Sequence, residues 1–271
     1  MALSEAEEDL REQFGLAYAQ SHLPVMQRIE RAVCGCDYGG VSWATREEID
    51  AVSALLALRP GQHLMDLGAG SGWPGIYLAK QSGCDITLVD LPAEGLAVAA
   101  ARAKEDQLVG ACHVAVADGR ALPYADGSFD AITQSDVLCC LPGKQDVLTE
   151  CRRTIKAEGE MIFSVISVAP GLNDRDRARA VEIGPPYVTS EIPYDEMLQR
   201  TGWRVVERRD QTLQFLDCAE IFRDANQDNK GELADLMSAD ELQGRLERDA
   251  ALVKVIASGL LRRELYRVRA A

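Results

Sequence analysis

Two hydrophobic periods alternate along this chain. Residues 3–33 repeat apolar side chains at helical spacing, with Leu10, Phe14, Ala17 and Tyr18 near one face, which predicts a helix. The stretch CGCDYGG, residues 34–40, interrupts it with three glycines. Thr45 and Glu48 then spell a capping box, so a helix is expected from Arg46, with Ile49, Val52, Leu55 and Leu56 on its apolar face. Arg59-Pro60-Gly61 ends it. Beyond that point short apolar runs at 62–67, 85–90, 112–116, 129–134 and 160–167 read as strands. Helical stretches at 74–82, 93–106 and 144–157 separate them, followed by a helix at 193–201 and a strand at 203–208. Strands that alternate with helices imply parallel βαβ units, because a parallel connection must cross back over the sheet. Two segments break the alternation. Residues 169–190 are polar and contain Pro185-Pro186; residues 214–259 read as two helices, the second carrying Leu242, Leu246, Ala250, Val253 and Ile256 on one face. The closing LLRRELYRV reads as a last strand.

Composition narrows the class. At 271 residues, with 47% apolar and 27% charged positions, the chain suits one globular domain with helical additions. No apolar run approaches the roughly 18 residues that span a bilayer. The acidic start MALSEAEEDL lacks the basic and apolar regions of an export signal, so a cytoplasmic location is expected. The formal charge is −14, and the nearest approach to a basic stripe, Arg204 to Arg209, is broken by apolar residues and Glu207. Such a surface repels phosphate backbones and anionic lipids, which argues against nucleic-acid and membrane partners and leaves small neutral or cationic substrates. Eight cysteines form no pair of CxxC motifs, so neither a zinc site nor a disulfide framework is expected, and Cys139-Cys140 reads as strand-end packing. DANQDNKGELAD, residues 224–235, imitates a calcium loop, but Asn229 stands where the loop needs glycine and Asp235 where it needs glutamate; no metal is expected there.

The first strand runs into HLMDLGAGSGWPGIYLAK, residues 63–80. Glycines at 68, 70 and 72 let the backbone turn tightly and approach a ligand, and the next helix offers free N–H groups at its start. Gly70, Gly72 and Gly75 also fit G-x-G-x-x-G, with Asp90 lying 20 residues past Gly70, so an NAD(P)-linked oxidoreductase stays open. Against it, Asp66 at the strand end would repel a pyrophosphate. S-adenosylmethionine has no phosphate and tolerates a carboxylate. Asp90, ending the second strand, can accept both ribose hydroxyls; Asp118, past the third strand, can accept from an adenine amino group, with backbone N–H groups of Gly119 or Arg120 donating to the ring.

The order D-x-G-x-G-x-G, then V-D-L, then A-D-G-R-A-L-P-Y-A-D-G-S-F-D resembles the class I S-adenosylmethionine-dependent methyltransferases, in particular the small-molecule branch that includes ubiquinone, sterol and natural-product methyltransferases. The resemblance covers residues 38–210 and 260–271. It implies an α/β, Rossmann-like, seven-stranded, mostly parallel sheet with an antiparallel last strand. It also implies cofactor contacts at Asp66, Gly68, Gly70, Asp90, Leu91, Asp118, Gly119, Arg120 and Ser135, together with Ala69 of the glycine loop. The fourth strand ends in Gln134-Ser135-Asp136-Val137 rather than N/D-P-P-Y, which argues against nucleobase and glutamine-amide acceptors. Cys139 and Cys140 stand where related enzymes often carry histidine, so no base is assigned there.

The expected organisation is an N-terminal helical cap (1–40), a core (41–213 and 260–271) and an inserted helical cap (214–259), with 169–190 also reaching the pocket and Tyr38-Gly39-Gly40 as a flexible joint. Phe14, Tyr18, Tyr187, Phe215 and Phe222 are the candidate lining. Of three histidines, His63 and His113 open strands at the edge away from the site, and only His22 is a candidate base or substrate contact. The expected activity is methyl transfer from S-adenosylmethionine to a small-molecule hydroxyl, with carbon or nitrogen as further options. A cofactor-binding protein without transfer activity is the second rival. The sequence does not specify an oligomeric state.

Overall fold

A computed structural model describes residues 3–38 and 42–271. The core is a seven-stranded sheet formed by β1 (His63–Leu67), β2 (Asp85–Asp90), β3 (Cys112–Val116), β4 (Phe129–Ser135), β5 (Ile155–Val168), β6 (Trp203–Asp210) and β7 (Leu261–Ala270). Their order is β3-β2-β1-β4-β5-β7-β6. The first five strands are parallel, and β7 inserts antiparallel between β5 and β6. The chain winds outward from β1 to β3 and returns to β4, so the order reverses between β1 and β4. In an open α/β sheet that reversal splays the loops apart and leaves a crevice at the strands' carboxyl ends.

Register sharpens this. Leu67 pairs with Val89 on one side and with Gln134 on the other. The residues that follow, Gly68, Asp90 and Ser135, therefore leave the sheet side by side. Asp90 pairs with Val116, which brings Ala117 and Asp118 to the same edge.

Helices cover both faces: α1 (Glu5–Ala19), α2 (Pro24–Cys34), α3 (Arg46–Leu56), α4 (Gly75–Ser82), α5 (Ala93–Glu105), α6 (Lys144–Thr154), α7 (Asp174–Ile183), α8 (Tyr194–Arg200), α9 (Thr212–Asp228), α10 (Lys230–Leu233) and α11 (Ala239–Ala257). The single helix expected over 3–33 is two. Pro24 opens α2, and the extended Leu23 before it conforms to the bias of a pre-proline residue against helix. The tract at 169–190 contains α7, started by the Asn173 side chain accepting from the Asp176 N–H. The second insertion starts at Thr212 and holds three helices rather than two; the imitation calcium loop is absorbed into α9 and α10. β5 begins at Ile155, five residues before its apolar run, so α6 stops at Thr154. The Thr45 cap is half of the expected box: its hydroxyl accepts from the Glu48 N–H, while the Glu48 carboxylate reaches Arg263 instead. The Gly39-Gly40 joint lies outside the described residues.

Candidate active site

A cavity of about 1160 Å³, counting its open mouth, lies at the sheet's switch point. Four strand ends and α1 make its wall. Gly68, Ala69, Gly70 and Ser71 follow β1; Asp90 and Leu91 close β2; Asp118 and Arg120 follow β3; Ser135, Asp136 and Val137 leave β4. Glu7, Leu10, Arg11, Phe14 and Tyr18 project from α1.

Asp90 Oδ2 accepts from the Gly70 N–H at 2.7 Å and Oδ1 from the Leu91 N–H at 2.8 Å, which fixes the carboxylate at the cavity wall. Burial outweighs both hydrogen bonds and raises its pKa to about 6. Gly68 and Gly70 have φ of 74° and 49°, values that favour glycine. The space over Gly70 is not open, however. A Cβ there would meet the Tyr18 ring at 2.9 Å, so α1 lies directly on the glycine loop.

Asp66 corrects an expectation. Its carboxylate is almost wholly buried and does not line the cavity. Oδ1 accepts from the Thr133 hydroxyl at 2.9 Å and Oδ2 from the Gly75 N–H at 3.0 Å. Asp66 thus shapes the loop from behind, and burial raises its pKa to about 7. The same contact weakens the dinucleotide reading, because the start of α4, where a pyrophosphate would sit, is capped by a carboxylate. Gly119 is a second correction: it packs behind the wall toward Leu67 and Val147.

Asp118 is clasped by Arg120, whose Nε lies 3.0 Å from both carboxylate oxygens and whose NH2 lies 2.7 Å from Oδ2. Arg120 NH1 also meets Glu7 of α1 at 2.8 Å, with both side chains mostly shielded from water. Burial works to raise the Asp118 carboxyl, and the Arg120 contacts outweigh it, leaving the group below its ordinary value.

Among the aromatic candidates, Phe14 and Tyr18 line the cavity and stack at 5.9 Å. Phe215 and Phe222 do not; they stand behind Trp43, edge-on at 5.2 and 5.6 Å, and Trp43 makes the wall. Tyr187 is not on the wall either; its N–H donates to the Cys139 carbonyl, and Pro185 reaches the cavity from that segment. His22 is exposed on the turn between α1 and α2 and does not line the cavity. His63 pairs with Thr87 at 2.8 Å, at the opposite edge of the sheet. Cys139 and Cys140 occupy a 3₁₀ turn after β4 and both line the cavity.

The sequence reading missed Trp43, Glu7 and Asp136. It also missed Arg263, which is fully buried and grips Asp136 from behind. A signal for Arg263 existed: strand alternation places it on the face of Leu261 and Leu265, both buried.

The chain matches the family described as "Methyltransferase domain" over residues 65–163, the segment that supplies the β1 to β4 wall. It is 28% identical over 163 residues to 27-O-demethylrifamycin SV methyltransferase of Amycolatopsis mediterranei, covering 59% of this chain and 60% of that one. It is 28% identical over 178 residues to phosphoethanolamine N-methyltransferase of Triticum aestivum, covering 66% of this chain and 34% of the relative. The chain thus spans less than two thirds of either relative. Among solved structures, Haemonchus contortus phosphoethanolamine N-methyltransferase 2, in complex with phosphomonomethylethanolamine and S-adenosylhomocysteine, superposes with a TM-score of 0.79 at 17% identity, over 99% of this chain and 60% of the other. Motif order, strand order and these likenesses agree: residues 65–163 match a methyltransferase domain, and the chain is similar to the class I S-adenosylmethionine-dependent methyltransferases of the small-molecule branch.

Proposed function

We propose that this chain transfers a methyl group from S-adenosylmethionine to a small-molecule hydroxyl. The observation that carries the reading is Asp90, a half-buried carboxylate at the end of β2, set on the cavity wall and locked by two backbone N–H groups. The residues fit the cofactor. Asp90 accepts the ribose hydroxyls, and the Asp118–Arg120 pair borders the adenine end. Ser135 Oγ, buried and without a partner among the described residues, supplies a polar group on the opposite wall. Bound there, S-adenosylmethionine supplies an electrophilic methyl group on a sulfonium.

What this chain adds is placement and dryness. Alignment of two bound reactants is worth up to about 7–11 kcal/mol. Leu10, Phe14 and Tyr18 from α1, Trp43, and Pro185 close the cavity on the solvent side. We assign 1–40, 169–190 and 212–259 to a cap on this basis: the first two supply wall residues, and the third supports Trp43 through Phe215 and Phe222. The rifamycin relative, named for an O-demethylated substrate, favours oxygen as the acceptor atom; the wheat relative, named for N-methylation, supplies the contrast. Incubation with methyl-labelled S-adenosylmethionine and a metabolite panel, with the product's methyl position read by NMR, tests both levels. Label on oxygen is expected. Label on nitrogen or carbon corrects the atom, and no transfer to any acceptor overturns the activity.

A further inference from the structure

The acceptor wall contains a buried charge cluster that does not balance. Arg263, with a side chain 0% exposed, uses every N–H group of its guanidinium. Nε donates to Asp136 Oδ1 and Oδ2 at 3.0 and 2.9 Å. NH1 donates to Glu48 at 2.8 Å and Gln211 at 3.2 Å; NH2 donates to Glu48 at 2.9 Å and Ser164 at 3.0 Å. Two carboxylates therefore share one guanidinium, in surroundings where their side chains are only 8% and 10% exposed. One negative charge is left over, and a buried charge without its full set of partners is costly.

The two carboxylates are not equivalent. Glu48 is engaged through both oxygens and does not line the cavity. Asp136 receives only Nε among the described residues, so its carboxylate keeps most of its acceptor capacity, and it lines the cavity. Its backbone is held at φ 56°, an uncommon conformation for a residue other than glycine. The Ser135 hydroxyl beside it has no partner among the described residues. The rest of the wall adds Glu7, Asp90 and Asp118 against Arg11 and Arg120, so carboxylates outnumber cations around the cavity.

We propose that Asp136 is the acceptor's anchor: it takes a hydrogen bond from a hydroxyl or amine on an otherwise apolar molecule, and it rejects an anionic group at that place. Arg263 is its positioning residue, holding the carboxylate aimed from behind. Trp43, Phe14, Leu141 and Ile166 supply the apolar surround. The inference rests on the methyltransferase reading, because it assumes the cofactor fills the Asp90 half of the cavity. It separates this chain from the wheat relative, whose name specifies a phosphorylated acceptor.

The test uses the full chain saturated with S-adenosylhomocysteine and a matched probe set: 4-propylphenol, 4-propylaniline, 4-propylbenzoate and 4-propylphenyl phosphate, with affinities read by NMR titration. The phenol and aniline are expected to bind about tenfold or more tighter than the two anions, the scale of one hydrogen bond to a charged group. Asp136→Asn keeps the shape and an oxygen for Arg263 Nε, and should erase that preference while S-adenosylhomocysteine affinity stays unchanged. Glu48→Gln removes a charge from the same cluster away from the cavity and should leave the preference in place. Equal binding of anions, no binding of the neutral probes, or an unaltered preference in Asp136→Asn overturns the proposal. Equal loss in both variants overturns it too, by making the effect one of cluster charge alone. Failure of the wild-type chain to bind S-adenosylhomocysteine overturns instead the cofactor reading beneath it.

Discussion

The two walls of the cavity are built on different scales of sequence. On the wall proposed for the cofactor, Gly70 and Asp90 meet across 20 residues and Asp118 and Arg120 across two. On the wall proposed for the acceptor, Arg263 reaches Asp136 across 127 residues and Glu48 across 215. A wall made by turns at strand ends needs particular residues at particular offsets, glycine where φ is positive and a carboxylate where a strand stops. A wall made by side chains from α1, α3, β4, β5 and β7 needs only that each be carried to one place by the fold. The first leaves a local trace in the sequence, and the second leaves little.

The contrast is broken most forcefully at Arg263. Arg263→Leu strands Asp136 and Glu48 in the interior and should cost about 3–5 kcal/mol, the range for removing one partner of a buried ion pair. Urea unfolding reads this directly; a loss no larger than a surface charge change would mean that the cluster is not a buried one. On the other wall, Gly70→Val should lower S-adenosylhomocysteine affinity on the order of a hundredfold, from strain at φ 49° and displacement of Tyr18. Far-ultraviolet circular dichroism should show the sheet retained, and normal affinity would remove the loop from the site.

Asp90→Ala should weaken S-adenosylhomocysteine by about 1.5–3 kcal/mol in calorimetry. The wild-type pH dependence gives an independent reading of the same group. Ribose hydroxyls donate to the ionised carboxylate, so affinity should hold above a pH of about 6 and fall as pH drops through it. The free protein responds with the opposite sign. A carboxyl whose folded pKa is raised contributes stability below its unfolded value and loses it as pH rises through about 6 for Asp90 and about 7 for Asp66. An affinity that is level from pH 5 to 8 would place Asp90 away from the ribose.

The smallest effect expected is at the join between the walls. Glu7→Gln removes the charge from the α1 contact with Arg120, which keeps Asp118, and should cost about 0.5–1.5 kcal/mol, the scale of one hydrogen bond. Hydrogen exchange should nevertheless show α1 opening faster, with α7 and α9 gaining protection alongside it when cofactor and acceptor bind. Uniform protection without ligand would make these segments scaffold rather than cap.

Strand positions, strand directions and most of the cavity residues at the ends of β1, β2 and β3 were legible because periodicity and glycine placement act locally. Asp66 shows the limit of that legibility. Its place before the loop marked it as important, but only the fold reveals that Thr133 and Gly75 take up its oxygens. The aromatic candidates fared similarly. Phe215 and Phe222 lie near the site but one layer back, because Trp43, just before the Thr45 helix cap, is the residue that faces inward.

The central claim is that the crevice between β1 and β4 holds S-adenosylmethionine. Calorimetric titration of the wild-type chain with S-adenosylhomocysteine, and separately with NAD, tests it most directly. The account predicts saturable binding of S-adenosylhomocysteine at one site per chain and no measurable binding of NAD, since Asp66 caps the start of α4. Binding of NAD without S-adenosylhomocysteine would contradict it.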